Sequence, residues 1–250
     1  MSKRILAHLT RADPILGGVI RAAGPLKLEL GDHEPFRALA HAIAHQQLNG
    51  TAANTILKRL IATCGKSDFP TPQEVLDASA ATVRAAGFSF AKVAALKDLA
   101  AKTLAAIVPD RRTLATLEDA VIIERLTQVR GVGRWTVEML LMFQLGRPDV
   151  LPVDDFGVRA GFRAAYGLRR LPKPKVLALW GERWKPYRSA AAWYLWRALE
   201  LDRAGKLPAP VQRVVLPRLP RKRRKARVKK RVAKGAKLRA RAGEKKRASG

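Results

Sequence analysis

Thiol chemistry is nearly absent from this chain: its 250 residues hold one cysteine, Cys64. A single cysteine excludes an internal disulfide and a four-cysteine iron–sulfur cluster. Acidic side chains are scarce too, 20 Asp and Glu against 49 Lys and Arg, a formal net charge of +29. Such an excess points to a polyanionic partner. No run of about 18 apolar residues occurs, so no membrane span is expected. The N-terminus has no apolar signal core. The expectation is a soluble, intracellular protein, cytoplasmic and, in a bacterium, nucleoid-associated. Metal-ligating side chains are few. Of His8, His33, His41 and His45, only His41 and His45 share a helix face. A zinc site needs at least one further protein ligand, and none is evident.

Strand signals are lacking as well. Leu26-Lys-Leu-Glu-Leu30 alternates, but it is too short to found a sheet. There is no internal repeat. What is present is helical periodicity on a 48% apolar composition, which gives an all-α expectation. Asp13-Pro14 starts a helix that stops near Gly24. A second helix runs from about Glu34, with Phe36, Leu39, Ala40, Ile43 and Ala44 as its apolar stripe, to the turn His45-Gln-Gln-Leu-Asn-Gly50. A third runs from Thr51 to about Thr63. Thr71-Pro-Gln-Glu74 is a capping box; Ser79 and Ser89 are further N-caps. The helix from Phe90 extends to about Ile107, and Thr116-Leu-Glu-Asp119 caps the next. After Asp155 a helix runs to about Tyr166, another spans Lys175 to Trp184, and the last reaches about Arg203. From Leu207 the periodicity dissolves into prolines and a Lys/Arg run. Pro217 to Gly250 carries 17 basic residues and one acid, a net +16, leaving +13 on the remainder. A segment so charged is expected to be disordered and to bind phosphates nonspecifically.

The chain is organised around Leu126-Thr-Gln-Val-Arg-Gly-Val-Gly-Arg-Trp-Thr-Val-Glu-Met-Leu140. Helical periodicity leads in, Gly131-Val-Gly133 interrupts it, and an apolar helix follows from Arg134 to about Leu145. The pattern predicts two antiparallel helices joined by a short turn. The glycines can take positive φ and leave room for a partner. The N-terminus of the second helix offers free N–H groups to a phosphate, and Arg134 adds a cation. A Gly/Pro loop then ends on two carboxylates, Asp154 and Asp155.

These features resemble the helix-hairpin-helix glycosylases of base excision repair, most closely the 3-methyladenine DNA glycosylase II branch. That superfamily carries a Leu-x-x-Val-x-Gly-Val-Gly-x-x-Thr-Ala hairpin, then a Gly/Pro loop and an aspartate. Val137 stands where the family often has Ala. Gly87-Phe-Ser-Phe-Ala-Lys92 is similar to a Gly-Leu-Ser-x-x-Lys turn of the family, although an ordinary helix connection explains it equally well. Trp184-Lys-Pro-Tyr-Arg-Ser189 is similar to a Trp-Lys-Pro-Trp/Tyr-Arg-Ser segment. The resemblance spans roughly Glu34 to Leu201. It implies a two-lobed helical bundle over residues 1–206, with a cleft between the lobes and the basic tail over 207–250.

The resemblance also implies site residues. Asp155 falls on the catalytic aspartate, with Asp154 second; the plainer reading of both is helix capping. Trp135 stands where lyase-competent members have a Schiff-base lysine, which an indole cannot replace; a monofunctional glycosylase is expected. Trp135 and Tyr187 fall at the base pocket, where aromatic faces suit a cationic alkylated purine. Leu48, with Gln47 second, matches a minor-groove wedge; otherwise the glutamines cap a helix and Leu48 is core. Gly131, Gly133, Arg134 and Thr136 are expected to meet DNA. The carbonyls of Thr127, Val129 and Val132 are expected to hold a Na⁺ or K⁺ ion. No cofactor is expected to be required. The implied activity is release of alkylated purines from double-stranded DNA by base flipping, by a monomer. A non-enzymatic DNA-binding protein, or a glycosylase for oxidised or deaminated bases, are the alternatives.

Overall fold

The computed structural model describes residues 2–64, 67–212 and 214–217. The expected disorder of the basic tail beyond Pro217 falls outside them. The described residues form thirteen α-helices and no strand, the all-α fold read from periodicity. No helix among them is long and apolar enough to cross a membrane.

The first helix, α1 (Ser2–Ala12), buries Leu9 and packs on α2 (Pro14–Ala23). Sequence patterning did not single out α1. Asp13 caps α2, its Oδ1 accepting from Leu16 N–H at 3.2 Å, and Gly24 ends it at φ +79°. Leu26–Leu30 forms no strand; with no partner strand its alternation has nothing to pair with. Next come α3 (Pro35–His45), α4 (Gly50–Cys64) and the capping-box helix α5 (Pro72–Asp77). Ser79 and Ser89 cap α6 (Ala80–Ala85) and α7 (Phe90–Leu104).

Between α7 and the hairpin lies α8 (Arg111–Thr116), capped by Asp110. The expectation that Thr116 caps the first hairpin helix is therefore corrected. Thr116 ends α8, its hydroxyl donating to Thr113 O, and Glu118 precedes α9 (Asp119–Leu126) with no side-chain cap. The hairpin closes with α10 (Arg134–Phe143). There follow α11 (Phe156–Ala165), α12 (Pro174–Gly181), a 3₁₀ turn at Glu182–Trp184 and α13 (Arg188–Arg203).

Residues up to Pro217 pack as one compact unit around one apolar core. Past α13 no helix follows among the described residues, yet Leu207, Val214 and Leu216 still pack on that core. Helix contacts fall into two neighbourhoods: α1, α2, α11, α12 and α13 in one, α3 to α7 with α9 and α10 in the other. In the first, α11 and α13 cross so closely that a Cβ at Gly161 would stand 1.7 Å from Leu195 O. Its centre holds a carboxylate that pairs with no cation among the described residues. Asp13 is 1% exposed, and its Oδ2 accepts from Tyr166 OH at 2.6 Å, Trp180 Nε1 at 3.0 Å and Trp184 Nε1 at 3.1 Å. Four neutral donors thus replace water around a buried charge, which is what makes its burial tolerable. Burial, then the neighbouring Asp13, push the Tyr166 phenol well above its usual range.

Candidate active site

Asp155 lies where the two neighbourhoods meet, beside the stacked rings of Phe143 in α10 and Trp196 in α13. Asp155 is the N-cap of α11: Oδ1 accepts from Val158 N–H at 2.7 Å. The same oxygen accepts from Trp196 Nε1 of α13 at 2.9 Å, while Oδ2 accepts from Trp135 Nε1 of α10 at 2.8 Å. Capping and site geometry thus coincide in one residue. Asp154 is exposed and bears no such contacts. Among the described residues no Lys, Arg or His pairs with Asp155, whereas Asp149, Glu138 and Asp98 each hold a cation. Its negative charge is therefore oriented by neutral N–H groups but not cancelled. A carboxylate oxygen has two lone pairs. Oδ1 has used both, and Oδ2 keeps one free beside Trp135, which is 48% exposed.

Trp196 reaches Asp155 because Gly157 lacks a side chain. A Cβ there would lie 2.7 Å from the indole Cδ1 and 2.9 Å from Nε1. The sequence does not single out Trp196. Its contact spans 41 positions and depends on the α11–α13 crossing, so no local pattern announces it.

The loop that delivers Asp155 is fastened to the start of α13. Arg188 grips Asp149 with Nε at 2.7 Å and Nη2 at 2.9 Å, a two-point pairing of planar groups. Ser189 donates to Arg147 O at 2.6 Å and accepts from Val150 N–H at 3.0 Å. The Arg and Ser of the Trp184–Ser189 segment therefore hold the loop. Tyr187, expected at the base pocket, is half-buried, and its ring meets His8 edge-on at 5.3 Å. Among the described residues it has no ring contact with Trp135.

In the hairpin, Gly131 has φ +75°, a conformation that favours glycine. Gly133 is extended at φ −94° and does not use that freedom. A Cβ at Gly133 would meet no protein atom within 4 Å, which leaves that space to something outside the chain. No side chain caps α10, and the first N–H taken up is that of Val137, by Gly133 O at 3.2 Å. Among the described residues the preceding N–H groups of α10 have no acceptor, and such groups suit an anion. Arg134 Nε pairs with Glu138 Oε1 at 2.8 Å and leaves its other N–H groups available. Burial, and then the nearby Asp154 and Asp155, raise the Glu138 carboxyl above its usual range despite Arg134. Thr136 is buried, so only its backbone can serve a surface contact. Among the described residues the carbonyls of Thr127 and Val132 accept no hydrogen bond; that of Val129 accepts one, from Val132 N–H at 3.0 Å.

A cleft of about 560 Å³ opens between the α3–α4 turn, the start of α7 and α10. It brings Gln47 and Trp135 together, with His45, Gln46, Lys92 and Met139. Leu48 stands beside it, 40% exposed, so it is not core. Gln47 adopts φ +57°. Gln46 and Lys92 escaped the site reading, and so did Phe90, which is 77% exposed next to cleft-lining Ser89 and Ala91. A larger cleft, about 830 Å³, contains Asp32, Glu34, Asp68 and Asp110 but none of the expected site residues.

Residues 40–186 match the model of the HhH-GPD superfamily base excision DNA repair proteins. The chain belongs to this superfamily. Among its superfamily relatives, DNA-3-methyladenine glycosylase 1 of Schizosaccharomyces pombe is 38% identical over 208 residues, covering 80% of this chain and 91% of the relative. The structure of the 3-methyladenine DNA glycosylase from that yeast, in complex with abasic DNA, aligns with a TM-score of 0.69 over 78% of this chain and 95% of that one. A DNA-3-methyladenine glycosidase from Bacillus halodurans, 32% identical, aligns at 0.73 over 80% and 91%. The all-helical architecture is thus that of the superfamily.

Proposed function

We propose that this protein is a monofunctional DNA glycosylase that releases alkylated purines, of the 3-methyladenine and 7-methylguanine type, from double-stranded DNA. The observation that carries the reading is Asp155: a carboxylate fixed by three N–H donors, unpaired with any cation among the described residues, beside an exposed tryptophan. The relatives named for 3-methyladenine support it.

Alkylation makes the purine a cationic leaving group. As the C1′–N bond breaks, its electron pair departs with the base and positive charge develops on the sugar. A fixed, uncompensated carboxylate stabilises that charge without reorganising. Water then adds at C1′ and gives up a proton, for which the free lone pair of Asp155 Oδ2 is the nearby acceptor. The products are free base and an abasic site. Such a base must leave the stack to be reached. Leu48, with Gln47 second, would fill the space it leaves, and the Trp135 face would receive the cationic ring. The hairpin N–H groups, Gly133 and Arg134 would hold a backbone phosphate without reading sequence. The carbonyls of Thr127, Val129 and Val132 are hard oxygen donors, two of them without hydrogen bonds, and fit a monovalent cation. Such an ion would contribute charge to the phosphate grip, and no chemical step passes through it.

The test is base release from methylated duplex DNA, with wild type and Asp155→Asn side by side. Wild type should release methylpurines. Asp155→Asn should lose roughly 10²-fold or more in single-turnover rate while still binding DNA. Borohydride should trap no covalent adduct with wild type, since Trp135 supplies no amine. If Asp155→Asn stays active and Asp154→Asn does not, Asp154 is the catalytic carboxylate. If wild type binds DNA but releases no alkylated, oxidised or deaminated base, the non-enzymatic reading replaces this one.

A further inference from the structure

Several hydrogen bonds lie between the cleft and the hairpin and have no part in the chemistry above. Lys92 Nζ donates to Ala44 O at 2.8 Å and to Gln46 O at 2.7 Å, at the end of α3. Gln46 Nε2 in turn donates to Gly131 O, in the hairpin turn, at 2.8 Å. From another side Asp98 Oδ2 accepts from Arg130 N–H and from Lys102 Nζ, both at 2.7 Å, and Lys102 also donates to Gln128 O. Lys92, Asp98 and Lys102 all belong to α7. One helix therefore holds two loops. Lys92 and Asp98 stand about 9 Å apart along its axis, at the helical rise per residue.

The loop held by Lys92 is under strain. Gln47, at φ +57°, occupies the left-handed region, which is unfavourable for a residue with a Cβ. The conformation persists because the carbonyl just before it is pinned. Lys92 is half-buried, and burial lowers its pKa; the two carbonyls provide the partners that its ammonium needs there.

We propose that α7 acts as a ruler for the DNA-binding face. Through Lys92 and Asp98, with Gln46 as a direct tie, it fixes the Gln47–Leu48 turn at a set distance from the hairpin. Insertion of the turn and grip on the phosphate then occur as one event. Lys92 and Gln46 are positioning residues in this scheme. It rests on the glycosylase reading, since it assigns both loops to DNA.

The test uses full-length protein and two duplexes with 7-methylguanine at one position. In one duplex the lesion faces cytosine; in the other it faces a one-nucleotide gap, where extrusion needs little help. Gln46→Ala should lose roughly tenfold or more in single-turnover rate on the paired lesion and much less on the gapped one. Leu48→Ala should show the same split, and the double variant should be little worse than the worse single one. Lys92→Gln should reproduce the split with unchanged helix content by circular dichroism. Equal losses on both duplexes, no loss, or additive losses in the double variant would overturn the ruler while leaving the glycosylase reading intact. Wild type inactive on both duplexes and on methylated DNA would remove that reading, and the ruler with it.

Discussion

Asp13 and Asp155 are built alike and are put to different uses. Each caps a helix, each accepts from two tryptophan indoles, and neither has a cation among the described residues. Asp13 is sealed in the core; Asp155 is half-buried beside an exposed indole. Asp13→Ala strands the Tyr166 hydroxyl and two indole N–H groups without their acceptor. It should destabilise the fold by about 3 kcal/mol or more, measured by urea unfolding. Gly157→Ala acts on the other carboxylate, because its Cβ would enter the Trp196 ring. It should lower the single-turnover rate well before it lowers DNA affinity; an unchanged rate would show that Trp196 does not orient Asp155. Of this pair of sites, the sequence disclosed the two capping aspartates, each followed by a helix. It could not disclose the tryptophans, which arrive from helices far along the chain.

Elements were legible where their ends carry chemistry. Asp13-Pro14, Thr71–Glu74, Ser79 and Ser89 each announced a helix, because the cap is made within a few residues. The periodicity did not single out α1 or the short α8, although Asp110 caps the latter within three residues. The turn after α3 was legible only as a turn. Its anchorage to Lys92 crosses to another helix, and the Gly87–Lys92 segment alone gives no hint of it. On α3 a row of imidazoles adds a condition of solution. His41 lies 5.4 Å from His33 and 6.3 Å from His45, centroid to centroid. Burial, then His33, Arg37 and His45, lower its pKa to about 4. An unfolded histidine titrates near ~6.5. Between these values the unfolded chain binds the proton and the native chain does not, so stability falls as pH drops through that window. His41→Phe, beside Phe69 at 5.5 Å, should flatten that slope in denaturant titrations at pH 4 to 7.

At the scale of the whole molecule, charge decides more than shape. Deleting residues 218–250 removes the 17 basic side chains of the tail and its one acid. The truncated protein should keep its single-turnover chemistry and bind DNA more weakly in low salt, with a shallower dependence of log Kd on log salt. An inactive truncation would make the tail part of the working fold. The larger cleft holds a different balance: four carboxylates, Asp32, Glu34, Asp68 and Asp110, gathered on a chain of net charge +29. It lies at Pro35–Arg37, where α3 begins, and at Thr103, where α7 ends; the cleft with Trp135 lies at the opposite end of each helix. A polyanion that meets this cleft meets its own sign of charge, so encounters there should be briefer than encounters at the hairpin.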